Sequence, residues 1–290
     1  MFTLLFADDT AFQMSAVDID YLLHKVNEEL SKASVWFQSN KLTLNTSKTK
    51  FMILKKRSMS IPNDNLRLAI GKEEIERVGD EFPTKHFKFL GLLIDEHLSW
   101  AYHVDYVHGK ISSGSYVLAR AKHLLPSNIK MTIYNSLIKP HLEYGLLTWG
   151  GLSDHKLNKL LIVQKKAIRS VAGKPTNTHT APLFASFEVL RLRDLFHHSC
   201  AIFMYQYINN YLPDSFENMF HPLTEPNRTN SFRLARPGNS FLEKFPDVLL
   251  PKIWNSLDAD IKATNSYSSF KKTLKKSYFF FIYLNIHNEN

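Results

Sequence analysis

Thr3-Leu4-Leu5-Phe6-Ala7-Asp8-Asp9-Thr10-Ala11-Phe12 is the stretch on which the reading of this chain turns. Strand formers flank a pair of adjacent acids, so the segment predicts a tight β-hairpin with Asp8 and Asp9 at its tip, because aspartate tolerates turn dihedrals and bonds its own backbone. Turn chemistry alone explains such a pair. The other reading is chemical: two carboxylates this close repel and stay ionised together only where solvation or a cation offsets the repulsion. Mg²⁺ meets that need, taking one or two carboxylates together with waters and substrate phosphates. A hairpin of this kind beside a nucleic-acid groove is half of a two-metal phosphoryl-transfer site. The other half needs a further carboxylate from another strand, and no residue before Asp8 is acidic.

Outward from the hairpin, Ile19, Leu22, Leu23, Val26, Leu30, Ala33 and Phe37 recur at helical spacing, which predicts an amphipathic helix from Asp18 to Gln38. Short strands are expected at Phe51 to Leu54, at Leu66 to Ile70 and Glu74 to Val78 around Gly71, and at Phe87 to Ile94, joined with the hairpin in one small antiparallel sheet. The basic loop after Leu54, Lys55-Lys56-Arg57, is either a phosphate contact or a solvated charge run. From Ser99 onward helical periodicity takes over. One helix carries Val104, Val107, Ile111, Leu118 and Ala121, a second Ile129, Ile133, Leu137 and Ile138 with Pro140 closing it, and a third Leu157, Leu160, Leu161, Gln164, Ile168 and Val171. Turn formers from Gly173 to Thr178 mark an internal boundary. A helical segment from Leu183 to Tyr211 follows, containing His197 and His198, which face different sides of a helix and lack the i, i+4 spacing of a paired metal site.

With 290 residues, 44% of them hydrophobic, the chain can bury a sizeable core in two or three structural units. A formal charge of +9 favours polyanionic partners whose binding weakens with salt. Lys110, Arg120, Lys122 and Lys130 lie in the helical part and are candidates for phosphate contact or ordinary polar faces. Between Asn227 and Asn239, Arg228, Arg233 and Arg236 accompany Phe232, a basic and aromatic mixture suited to single-stranded RNA or simply to a surface loop. Phe270 to Lys276 reads as a basic amphipathic helix. The lone Cys200 excludes an internal disulfide and points to a reducing, intracellular setting. No signal peptide and no apolar run of membrane-spanning length is expected.

Phe6-Ala7-Asp8-Asp9 resembles the aromatic-x-Asp-Asp motif of reverse transcriptases, and further matches follow in order. Asn45-Thr46-Ser47-Lys48-Thr49 is similar to their Asn-x-x-Lys-Thr segment, and Phe87-Lys88-Phe89-Leu90-Gly91 to their Leu-Gly primer-grip strand. Trp100 with His103, Leu124-Leu125-Pro126, Ile133-Tyr134, Pro140, Tyr144-Gly145 and Trp149-Gly150 resemble the thumb of non-LTR retrotransposon polymerases of the jockey type. Gln164-Lys165-Lys166-Ala167-Ile168-Arg169 and Pro251-Lys252-Ile253-Trp254-Asn255-Ser256-Leu257 resemble the carboxy-terminal segment of those elements.

The resemblance implies an α+β fold: a partial palm over residues 1–96, a helical thumb over 97–173 and a helical carboxy-terminal region over 174–290. It implies Mg²⁺ or Mn²⁺ at Asp8 and Asp9, Phe6 near the primer end, Lys48 near the phosphates of an incoming deoxynucleotide, and Leu90 and Gly91 seating the primer terminus. Partners implied are an RNA template, a DNA primer and dNTPs, with Lys110, Arg120, Lys122, Arg228 and Arg233 toward nucleic acid. Fingers and the first palm strand lie upstream of this hairpin in the family, so Met1 reads as an internal methionine and the chain is expected to be inactive alone. The alternative is a non-catalytic RNA-binding remnant.

Overall fold

A computed structural model describes residues 1–59, 61, 66–223, 231–234, 243 and 245–288. The chain divides into two compact units, Met1–His103 and Val104–Asn290. The first mixes short strands with one long helix; the second is almost wholly helical.

In the first unit, β1 (Phe2–Phe6) and β2 (Asp9–Gln13) pair antiparallel, with Phe6 opposite Asp9. Helix α1 (Ile19–Ser39) begins where the Asp18 carboxylate accepts the Tyr21 N–H at 2.7 Å, satisfying one of the open donors of the first turn. Its outer face carries Lys25 and Lys32 paired with Glu28 and Glu29 at i, i+3 and i, i+4 spacing. Its inner face contributes Leu30 to a small core with Leu68, Ile70 and Ile75, against which Phe12, Leu23, Val26, Leu44 and Phe51 pack.

The strands do not merge into the single antiparallel sheet that the sequence led us to expect. They form four separate pairs: β1–β2, β3 (Lys50–Met52) with β6 (Glu76–Val78), β4 (Ala69–Ile70) with β5 (Glu73–Glu74), and β7 (Phe87–Phe89) with β8 (Leu92–Ile94). The β3–β6 pair is parallel. Strands of two or three residues offer too few ladder bonds to recruit a neighbour, so local turns decide the pairing. The expected continuous strand from Phe87 to Ile94 is a hairpin, because Leu90 and Gly91 both take positive φ (44° and 84°) and reverse the chain between Phe89 and Leu92.

Helix α2 (Ala101–Arg120) leads into the second unit. There follow α3 (Ser127–Leu137), α4 (Lys139–Glu143), α5 (Leu146–Trp149) and α6 (Asp154–Val171). Pro140 lies in the first turn of α4, where its missing N–H costs nothing, so it starts a new helix as well as closing the preceding one. Helix α6 ends on Gly173 at φ 69°, with the Lys174 N–H returning to the Arg169 carbonyl at 2.9 Å.

The helical segment expected from Leu183 to Tyr211 comprises two helices, α7 (Ala181–Ser186) and α8 (Leu192–Ile208). Glu188 at φ 51° turns the chain between them, and the Val189 N–H closes on the Phe184 carbonyl at 2.9 Å. After a short 3-10 turn at Asp214–Phe216 come α9 (Pro246–Asn255), α10 (Ala259–Lys262) and α11 (Tyr267–Asn288). Helix α8 is the hub of this unit, packing on α4, α5, α6, α9 and α11. Trp149, Leu160, Ile168, Phe184, Phe270 and Leu274 are completely buried. The Gln164 amide ties the core together: it donates to the Tyr134 hydroxyl and the Leu190 carbonyl and accepts the Leu192 N–H, each at 3.0 Å. Among the described residues no helix is long and apolar enough to cross a membrane.

Candidate functional site

The hairpin that carries the acids turns on two residues, Ala7 and Asp8. Ala7 takes φ 51°, which an L side chain disfavours; Gly71 fills the equivalent first position of the β4–β5 turn at φ 65°. The two acids therefore differ: Asp8 occupies the turn, and Asp9 is the first residue of β2, opposite Phe6. The expectation that both sit at the tip is corrected in that respect. Asp8 and Asp9 are exposed, as are Phe2, Leu4, Leu5 and Phe6, the last two at 74% and 65%. Only the base of the hairpin is anchored, through Phe12 against the small core.

Leu44 packs on the same core, immediately before the Asn45 turn. There the Asn45 side chain accepts the Lys48 N–H at 3.2 Å and the Ser47 hydroxyl at 2.7 Å, while its carbonyl takes the Lys48 and Thr49 N–H groups. This is an Asx-type turn, and it explains why asparagine stands three residues before the lysine. Lys48 leaves the turn exposed. Leu90 and Gly91 sit in the β7–β8 turn, a separate pair from the acid hairpin. Carboxylate oxygens suit Mg²⁺, so Asp8 and Asp9 fit as two of its donors. Among the described residues, however, the group of three donors close enough to share one ion is Asp80, Glu96 and His97, not one containing Asp8.

Just after β8 lies Asp95, whose buried carboxylate accepts the N–H groups of His97, Ser99 and Trp100, each at 3.1 Å, and the Ser99 hydroxyl at 3.0 Å. It folds the loop that leads into α2, whose first turn carries His103. That imidazole is buried against Trp100, burial pushes its pKa down, and its Nδ1 accepts the Leu93 N–H at 3.4 Å.

In the second unit Lys110 and Arg120 are exposed on α2, Lys110 lying 5.5 Å above the Tyr106 ring. Lys122 is half-buried. Lys130 is not a surface cation: it is 3% exposed and donates to the Lys122 carbonyl at 2.9 Å, sealing the link between α2 and α3. Arg233 is exposed. Phe232 is not free to stack on a base, since it is buried against Tyr207 and Phe220 while Asn255 brackets its backbone. Arg228 and Arg236 lie outside the described residues. In the basic segment at the start of α11, Phe270 and Leu274 face the core, and Lys272 and Lys276 face outward.

His197 and His198 are both partly buried. Burial, with Lys271 and Lys275 nearby, pushes His198 down to about 4, and its Nε2 has no hydrogen-bond partner. Burial also lowers His197, with Arg193 adding to it. Burial pushes the Cys200 thiol up to about 12. These groups belong to the packing of α8.

Sequence reasoning passed over Asp80, Glu96 and His97. The acid-histidine dipeptide Glu96-His97 was the visible signal; its third member lies sixteen residues earlier and is brought in only by the turn after β6.

The RNA-directed DNA polymerase from mobile element jockey of Drosophila melanogaster is 25% identical over 193 residues, 65% of this chain and 20% of that protein. Its Drosophila funebris counterpart is 26% identical over 115 residues, 38% of this chain and 12% of that protein. The probable RNA-directed DNA polymerase from transposon X-element of Drosophila melanogaster is 30% identical over 90 residues, 30% of this chain and 10% of that protein. No family model and no solved structure matches. The chain spans a fifth or less of the length of these curated relatives. By sequence, then, the chain is similar to parts of RNA-directed DNA polymerases from the mobile element jockey and the transposon X-element.

Proposed function

We propose that this chain is a segment of an RNA-directed DNA polymerase of a non-LTR mobile element, with residues 1–96 as palm, 97–173 as thumb and 174–290 as the carboxy-terminal region. The observation that carries the reading is the hairpin that presents Asp8 in its turn and Asp9 opposite Phe6, with Lys48 exposed on a turn beside the same core. In this reading Asp8 and Asp9 would hold Mg²⁺, which would supply charge stabilisation for attack of a primer 3′-hydroxyl on the α-phosphate of a dNTP. Phe6 supports the primer end, Lys48 neutralises charge on the departing pyrophosphate, and the Leu90–Gly91 turn seats the primer terminus. Two carboxylates leave the donor set for two ions incomplete, so these 290 residues alone bind template and primer without extending it.

Lys110, Arg120 and Arg233 contribute phosphate contacts through charge, with affinity set by backbone and shape more than by base identity. Filter retention of an RNA–DNA duplex across a salt series tests this. The expected result is retention at low salt that falls linearly in log–log form, with a slope reduced by about one for Lys110→Gln or Arg120→Gln. Absence of retention at low salt overturns it.

A further inference from the structure

We propose that Asp80, Glu96 and His97 form a binding site for a divalent transition ion of the zinc class, separate from the acid hairpin and independent of any polymerase role. The three side chains come from two places in the first unit, the turn after β6 and the loop after β8, and their donor atoms lie within 4.8 Å of one another.

The histidine is oriented for this. Its Nδ1 lies 3.1 Å from the Lys55 carbonyl oxygen, an acceptor, so the ring proton sits on Nδ1 and the Nε2 lone pair faces the carboxylates. Fixing an imidazole tautomer through a backbone carbonyl is the usual arrangement behind a metal-bound histidine. Nε2 is then 3.5 Å from Asp80 Oδ2 and 3.7 Å from Glu96 Oε1. Donors about 2.0–2.2 Å from a tetrahedral ion stand roughly 3.3–3.6 Å apart, which the observed separations approach.

The second observation is the state of Glu96. It is 3% exposed, and its Oε2 is buried without a hydrogen bond; Lys55 Nζ stands off at 3.7 Å. Arg77 also acts on Glu96 through its charge, but a buried carboxylate oxygen without a hydrogen bond calls for a closer partner. The backbone also makes room for it: a Cβ on Gly79 would come within 2.9 Å of Glu96 Oε2. The neighbouring Asp80 N–H donates to Glu96 Oε1 at 3.0 Å, and the Lys55 N–H donates to the Glu96 carbonyl at 3.0 Å, so both halves of the site are tied together before any ion arrives. Asp80 is exposed and Glu96 is not, so an ion held here keeps one side open to water, as in sites with three protein ligands. Mixed imidazole and carboxylate donors favour zinc-class ions over Mg²⁺.

The test is titration of the metal-free full-length chain with Co²⁺, read by its visible absorption, followed by displacement with Zn²⁺. The wild type is expected to take one Co²⁺ with the intense spectrum of a four-coordinate site and to release it to Zn²⁺. Asp80→Asn and His97→Gln are each expected to weaken binding by more than about tenfold. Zn²⁺ is expected to raise the thermal midpoint of the wild type and not that of Asp80→Asn. Because Asp80 is exposed, that variant should match the wild-type midpoint without metal, which separates ligand loss from misfolding. With thirteen histidines in the chain, equal binding by wild type and Asp80→Asn would assign the metal elsewhere and overturn the proposal. So would a wild type with no four-coordinate spectrum, leaving Lys55 and Arg77 as the charges that face Glu96.

Discussion

The two compact units hold their apolar residues in opposite ways. In Met1–His103 the hairpin leaves Phe2, Leu4, Leu5 and Phe6 in solvent, and its core is a small cluster of buried aliphatic side chains around Leu30 of α1. In Val104–Asn290 large side chains such as Trp149, Trp254, Tyr134, Phe184 and Phe270 are almost wholly enclosed around α8. Strands of two to five residues in four separate pairs cannot bury a face, whereas helices of eleven to twenty-two residues can. The lesson is that stability resides in the second unit and the candidate chemistry in the first, where acids, a lysine turn and strained turn residues are displayed on a thin support.

Truncation should break the symmetry most sharply. Trp149→Ala removes a completely buried ring together with the indole N–H that donates to the Tyr144 carbonyl at 3.0 Å. The expected cost is about 3–5 kcal/mol by denaturant titration followed by circular dichroism. Phe6→Ser in the exposed hairpin should change stability by no more than about 0.5 kcal/mol. A comparable cost for both would erase the contrast.

Much of the acid limb of stability should come from the second unit, beside the share of buried His103 in the first. His198 is pushed from 6.5 to about 4 in the folded chain, so the unfolded chain binds the proton first. Its contribution is present above pH 6.5 and is lost as pH falls from there toward 4, an effect on the order of 3 kcal/mol. His198→Gln should flatten that limb in unfolding measured from pH 7 to pH 4; an unchanged limb would remove His198 as its source.

How much of this was legible in the sequence follows from the range of the interactions. Helix α1 was readable because its apolar spacing is local, and α6 likewise down to the glycine that ends it. The hairpin was readable, but the division of labour between Asp8 and Asp9 was not, since nothing in the composition of the turn says that Ala7 takes the positive φ. The Phe87–Ile94 run concealed a hairpin because apolar residues stand on both sides of the Leu-Gly turn and read as one strand. The parallel pairing of β3 with β6 joins residues twenty-six positions apart and has no local signature. Lys130 misled for a related reason: a lysine on a polar face becomes a buried donor once the chain curls Lys122 over it. Asp80 reached Glu96 and His97 only through tertiary folding.

Two smaller effects sharpen the comparison. Gln164→Ala should cost about 1–3 kcal/mol, because it leaves the Leu192 N–H, the Leu190 carbonyl and the Tyr134 hydroxyl without that partner in a sealed core. Equilibrium unfolding checks it, and a neutral result would contradict the enclosed character of the second unit. Ala7→Gly should act in the other direction, raising stability by about 0.5–1 kcal/mol as relief of the positive φ outweighs the entropy of a new glycine. Amide hydrogen exchange across β1 and β2 reads this directly, and faster exchange in Ala7→Gly would show that the turn is not strained.

The central claim is that Asp8 and Asp9 belong to a polymerase site whose donor set these residues leave unfinished. The measurement that tests it most directly is extension of a DNA primer on an RNA template by the purified chain with Mg²⁺ and dNTPs, beside its Asp8→Asn variant. The account predicts that both proteins hold the duplex and neither extends it; template-dependent incorporation by the wild type that Asp8→Asn abolishes would contradict it.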